Sequence, residues 1–161
     1  MFNKNNTEQG LLLKRMQDCT LFCNFSTSEI KTLLNIAHIR DYAEDEKIFD
    51  DGTIGLCFYI IVKGSVRIIS EKEGKINMIR EFKEGEYFSE VHLFSESYHT
   101  VSSIAGEVTK LIVFAKPDLE DFVKIKPKLG NKVLLRFLEF FGSKMDELYK
   151  ENRELKHKLK T

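Results

Sequence analysis

Between Ile39 and Ala115 apolar residues recur at every second position in short runs, and glycines stand near the breaks. Phe58, Ile60 and Val62 alternate with Tyr59, Ile61 and Lys63, and Val66, Ile68 and Ser70 alternate with Arg67, Ile69 and Glu71. A period of two belongs to strands, whose successive side chains face opposite sides of a sheet. Ile76, Met78 and Ile79 lead in the same way to Phe82. Gly52, Gly55, Gly64, Gly74, Gly85 and Gly106 punctuate the runs, and EKEGKIN reads as a hairpin turn centred on Gly74. Many short strands with turn glycines predict a mainly β fold, an antiparallel β-roll of the double-stranded β-helix or jelly-roll kind.

Helices are expected on either side of this region. Leu12, Met16, Cys19, Phe22 and Cys23 fall at helical spacing over 11–25. Ser26 with Glu29 three residues later forms a capping box for a second helix, whose inner stripe is Ile30, Leu33, Leu34 and Ala37. Pro117, followed by Asp118, Glu120 and Asp121, opens a short helix that ends near Pro127. One long helix follows Gly130. The expected organisation is a flexible leader over 1–10, a β-roll domain with its N-terminal helices over 11–128, and a long C-terminal helix over 129–161.

The long helix carries a second pattern. Leu134, Leu138, Phe141, Met145, Leu148, Asn152, Leu155 and Leu159 are separated by alternating steps of four and three residues, an unbroken heptad seam. Leu148 and Leu155 take d positions, while Leu138, Met145, Asn152 and Leu159 take a positions. Leucine at d with one asparagine at a favours a parallel two-stranded coiled coil in fixed register, because out of register each Asn152 amide is buried unpaired. Glu151 at g and Lys156 at the next e position can pair between helices. Phe137, Phe140 and Phe141 broaden the front half of the helix, which is expected to pack on the roll. The alternative is a single amphipathic helix lying on its own domain.

The 161 residues suit one domain plus a peripheral helix. Twenty-five basic and 25 acidic side chains cancel, which argues against a general nucleic-acid binder. No apolar run approaches the roughly 18 residues of a membrane span, and the polar start has no export signal. With three cysteines, Cys19, Cys23 and Cys57, the expectation is free thiols in a cytoplasmic protein. No nucleophile elbow, Walker sequence, GxGxxG or paired metal motif is present, so no catalytic residue, metal or bound cofactor is expected.

Two strings resemble a known family. KIFDDGTIGLCFYIIVKGSVRII is similar to the first half of the cyclic nucleotide-binding domain, through Ile48, Phe49, Gly52, Tyr59, Ile60, Ile61 and Gly64. EGEYFSEVHLFSESYHTVSSIAGE resembles its phosphate-binding cassette, and TLF before STSEI matches the preceding helices. The resemblance covers about residues 12–150. It implies a β-roll like that of the cAMP receptor protein and a ligand site at Phe88, Ser89, Glu90, Val91, His92, His99 and Thr100. Phe88 matches the cassette phenylalanine, and Glu90 the glutamate that holds the ribose. Val91, Leu93 and Phe94 fill the short helix. Ser89 stands where glycine is usual, His92 where alanine is usual, and His99 where the phosphate-binding arginine belongs, with Thr100 behind it. Histidine lacks the bidentate fork of arginine and is only partly charged near neutral pH. Losing such a contact costs about 2–5 kcal/mol. Arg136, off the heptad seam, is the candidate for a compensating cation.

The implied function is a regulatory sensor that homodimerises through Leu138, Phe141, Met145, Leu148, Asn152, Leu155 and Leu159. It would bind cAMP, cGMP or another small anion and signal to a protein partner. The alternative is a non-binding scaffold of the same fold, with the pocket filled by His92, His99 or their neighbours. A metal or haem set of Glu90, His92 and His99, and an iron–sulfur site at Cys19 and Cys23, rank behind these because neither spacing is an established motif. The basic tail (Lys150, Arg153, Lys156, His157, Lys158, Lys160) reads as a coiled-coil exterior interleaved with glutamates. No helix-turn-helix follows the long helix, so direct DNA binding is not expected.

Overall fold

The computed structural model describes residues 2–72, 75–95 and 97–159. Helix α1 spans Phe2–Asp18 and α2 Thr27–Leu34; α2 begins in the expected capping box, with the Glu29 amide donating to Ser26 Oγ and the Ser26 amide to the Glu29 carboxylate. Eight strands follow: β1 His38–Tyr42, β2 Lys47–Phe49, β3 Cys57–Lys63, β4 Ser65–Lys72, β5 Lys75–Lys83, β6 Tyr87–Phe88, β7 Ser102–Ala105 and β8 Thr109–Ala115. A 3₁₀ turn, Glu90–Leu93, separates β6 from β7, and helices α3 (Lys116–Ile125) and α4 (Pro127–Lys158) complete the chain. The strands form two four-stranded antiparallel sheets, ordered β1-β8-β3-β6 and β2-β7-β4-β5. This is the β-roll.

The period of two divides the apolar residues between two compartments. On β3 and β8, Phe58, Ile60, Val62, Ile112 and Phe114 turn outward into a cluster with Met16, Phe22, Ile30, Leu119, Phe122 and Phe137 from the helices. Tyr59, Ile61, Leu111 and Val113 turn inward, against Val66 on β4 and Phe88 on β6. Both faces of the central strands are therefore covered, which explains their almost unbroken burial. The core lies between this sheet and the helices, and the roll interior is left to line a cleft.

Two sequence expectations at the N-terminal helix are corrected. Helix α1 already begins at Phe2, through the segment expected as a leader, and Glu8 forms an ion pair with Lys110 at 2.8 Å. The helix stops at Asp18 rather than Phe25. Beyond it, Phe22 and Phe25 donate amide hydrogen bonds to Cys19 and Phe22 three residues back, and this tighter turn repeat kept the apolar spacing helix-like. The run from Ile76 to Phe82 forms β5 as expected, with Ile76, Met78 and Ile79 exposed on it. Arg80 and Met78 pair with the consecutive β4 residues Ile68 and Ile69, so Ile79 is an extra residue that reverses which face the strand presents. The turn at Gly74 lies outside the described residues, though β4 and β5 pair up to Lys72 and Lys75.

Two contacts fix the helices to the roll. Arg15 Nε on α1 donates to the Val62 carbonyl at 2.8 Å, while its guanidinium pairs with Glu84. Phe137 on α4 meets Phe58 edge-on at 5.7 Å and Phe22 at 6.4 Å. Helix α4 starts at Pro127, ahead of the position expected from Gly130, which lies within its first turn. A Cβ on Gly130 would stand 2.7 Å from Val123 Cα, so glycine here lets α4 lie directly on α3.

Gly130→Ala should therefore lower stability by about 1–3 kcal/mol through overpacking. Gly142→Ala, where nothing stands within 4 Å, should raise it by about 0.5–1 kcal/mol through helix propensity. Chemical denaturation of the two variants beside the parent tests this; equal effects would contradict the close α3–α4 contact.

Candidate functional site

The roll interior opens as a cleft of about 560 Å³. Its floor is apolar: Phe49, Ile68, Phe82, Phe88 and Val101. Helix α4 reaches over one side with Phe140 and Lys144, and the turn after α1 contributes Thr20. Tyr87 joins these parts, its ring 5.8 Å from Phe140 and its hydroxyl 3.4 Å from Thr20 Oγ1.

Strand β6 carries the chain into the cleft. Phe88 pairs with Tyr59 across the ladder, and their rings stack at 4.8 Å and 8°. The backbone then turns sharply at Ser89, with φ 66° and ψ 20°. Glycine adopts this left-handed geometry freely, whereas a residue with Cβ holds it at a cost of about 1 kcal/mol or more. Ser89 thus holds a conformation that glycine favours, despite its side chain. Its Oγ lies 3.2 Å from His92 Nδ1.

From Glu90 to Leu93 the chain makes the short helix expected of a cassette. Glu90, Val91 and His92 line the cleft, with Glu90 half-buried, while Leu93 is buried in the core behind. The returning segment is zipped to the 52–55 loop: the His99 amide donates to the Thr53 carbonyl and the Gly52 amide to the His99 carbonyl, both at 2.8 Å. Gly55 lies so close to His92 that a Cβ would fall 2.1 Å from the imidazole.

His99 is 4% exposed. Its ring lies flat on Phe49, centroids 3.7 Å apart and planes 7° apart, and 4.2 Å from the ring of His92. Burial, and secondly the charge of His92, hold its pKa down at about 4. The position of the expected phosphate-binding cation therefore carries a neutral, stacked imidazole at neutral pH.

Of the seven residues read from the sequence, the structure brings Phe88, Ser89, Glu90, Val91, His92 and His99 to one cleft. Thr100 does not line it and is exposed. Arg136 does not line it either: its guanidinium donates to the Thr20 carbonyl at 2.8 Å and pairs with Glu139 at 2.9 Å. The cations at the cleft are Arg80 on β5 and Lys144 on α4. Arg80 shares the Phe82 face by ordinary strand alternation, and Lys144 lies beside the heptad seam. Among the described residues no cluster of three or more His, Cys, Asp or Glu side chains is arranged to hold a metal ion.

The seam lies on α4 beyond the roll. Phe141 is half-buried against Phe94 at 5.7 Å, while Leu138, Met145, Leu148, Leu155 and Leu159 are each more than half exposed. Asn152 is exposed with them.

Comparison with known proteins agrees with this anatomy. The chain is 25% identical over 109 residues to a cAMP-dependent protein kinase regulatory subunit of Mycosarcoma maydis, covering 68% of this chain and 21% of that one. It is 24% identical over 119 residues to the cyclic AMP receptor protein of Thermus thermophilus, covering 73% of this chain and 55% of that one. It thus spans about a fifth and about half of these relatives. A crystal structure of a cyclic nucleotide-binding domain from Methylobacillus flagellatus superposes with a TM-score of 0.73 at 24% identity, covering 91% of this chain and 83% of that one. The sequence profile of the cyclic nucleotide-binding domain matches residues 39–126, more than half of the chain, and the chain belongs to that family.

Proposed function

We propose that this chain is a cytoplasmic, non-catalytic sensor module that binds a cyclic nucleotide, cAMP or cGMP, in the roll cleft and dimerises through α4. The observation that carries the reading is the open cleft of about 560 Å³ with Glu90 on its wall and an aromatic floor beneath. A cavity of that size suits a mononucleotide. Glu90 is an acceptor for a ribose hydroxyl, and the floor offers an apolar face to a base. No helix among the described residues is long and apolar enough to cross a membrane.

Helix α4 supports the second half of the proposal. Its front half is anchored by Phe137, and its later seam exposes leucines on one narrow stripe. A second copy of the helix is the partner that this heptad spacing suits. Phe140 and Lys144 line the cleft while Leu138, Met145 and Leu148 belong to the seam, so ligand and partner helix act on adjacent faces of the same turns. Ligand occupancy would bias the helix between arrangements that a downstream protein can read.

One observation favours the scaffold alternative. The Phe49–His99 stack fills the cassette end and leaves it uncharged. In that reading the pocket has lost its ligand, and only dimerisation or docking remains.

Calorimetric titration with cAMP and cGMP separates the two. Sensing predicts saturable heat, weakened about tenfold or more by Glu90→Gln. Silence at millimolar ligand would leave the scaffold reading. For the dimer, sedimentation equilibrium should give twice the 18.8 kDa chain mass. Asn152→Leu should then admit higher oligomers by removing the polar register lock. A monomer at all concentrations would contradict the seam.

A further inference from the structure

At the cassette end His99 lies buried flat on Phe49, while Arg80 and Lys144 line the same cleft from other elements. Arg80 rises from β5 with its guanidinium 4.1 Å over the Phe82 ring. That stacking holds the planar group in place while leaving its N–H edges free to donate. Lys144 comes from α4 and lines the cleft together with Tyr87 and Glu90.

Neither cation is committed to a strong internal partner. Arg80 Nη2 reaches Glu86 Oε1 only at 3.4 Å, and both groups are more than two-fifths exposed. Glu86 keeps another partner if Arg80 leaves, because its second oxygen accepts the Lys83 amide at 2.7 Å. Lys144 pairs with Glu147 one turn along the same exposed helix face. Such pairs contribute little, so exchanging them for a ligand phosphate costs little. Asp18, Glu86 and Glu90 also line the cleft, so an incoming anion needs both cations to offset them.

We propose that Arg80 and Lys144 together form the phosphate seat, so that a nucleotide's phosphate is bound between β5 and α4 rather than at the cassette. The inference rests on the cyclic nucleotide reading above and gives it a different anchor. It also gives ligand binding a direct hold on α4, since one of the two cations belongs to that helix.

The test is titration of cAMP into the full chain and its Arg80→Gln and Lys144→Gln variants, with Lys128→Gln as a charge-matched control away from the cleft. Each cleft variant should weaken binding about tenfold, with a shallower salt dependence, and the control should stay within twofold. If the parent binds cAMP and either cleft variant binds within twofold of it, the seat is wrong while the ligand reading stands. If the parent does not bind cAMP, pyrophosphate is titrated while the Arg80 Nε–Hε resonance is followed by NMR. A saturable shift lost in Lys144→Gln would keep the seat and remove the cyclic nucleotide; no shift would overturn both.

Discussion

One ring laid on another decides what this cleft can hold. His99 lies on Phe49 at van der Waals distance, out of reach of water, and in that position its imidazole favours the neutral form. The backbone around it is fixed by hydrogen bonds to Thr53 and Gly52, and His92 is packed against it over a glycine that leaves just enough room. These contacts make the cassette end a small packed cluster. A phosphate arriving there would have to displace an aromatic stack and would find no charge in return. The rest of the cleft remains open, and its electrostatics fall to residues outside the cassette.

That division follows from how the roll is built. The strands spend one face on the helices and the other on the interior, so the sheet's own packing does not depend on the cleft being filled. Helix α4 is tied to the roll by Phe137 and Phe141, and it also contributes Phe140 and Lys144 to the cleft. The cleft mouth and the exposed leucines thus share the same helical turns.

Much of this was readable beforehand. Alternation over Phe58–Lys63 identified both the strand and its two faces, because a fully packed strand carries its pattern on each side. The capping box at Ser26 also carried through to the structure, and six of the seven residues read as the cassette line one cleft, Thr100 being the exception. What stayed hidden depended on single extra residues and on non-local approach. Ile79 shifts the phase of β5 by one residue, which turns Ile76 and Met78 outward while Arg80 stays on the inward face with Phe82. The tight turns after Asp18 imitate helical spacing. Gly130 looks like a helix boundary until Val123 is seen beneath it. The low pKa of His99 arises first from burial, to which the stack on Phe49, fifty residues earlier in the chain, contributes, and no local motif announces that contact.

The account rests on the imidazole of His99 staying buried and uncharged. The direct measurement is an NMR titration of its ring resonances in the unliganded protein. The low folded pKa means that the unfolded chain takes up the proton first, so stability should be fully present above about pH 6.5 and fall as acid approaches pH 4. The account predicts that His99 stays neutral from pH 7 down to pH 5 and protonates near pH 4, with the Phe49 stack opening in the same range. Titration close to pH 6.5, with the stack undisturbed, would put a cation back in the cassette and contradict it.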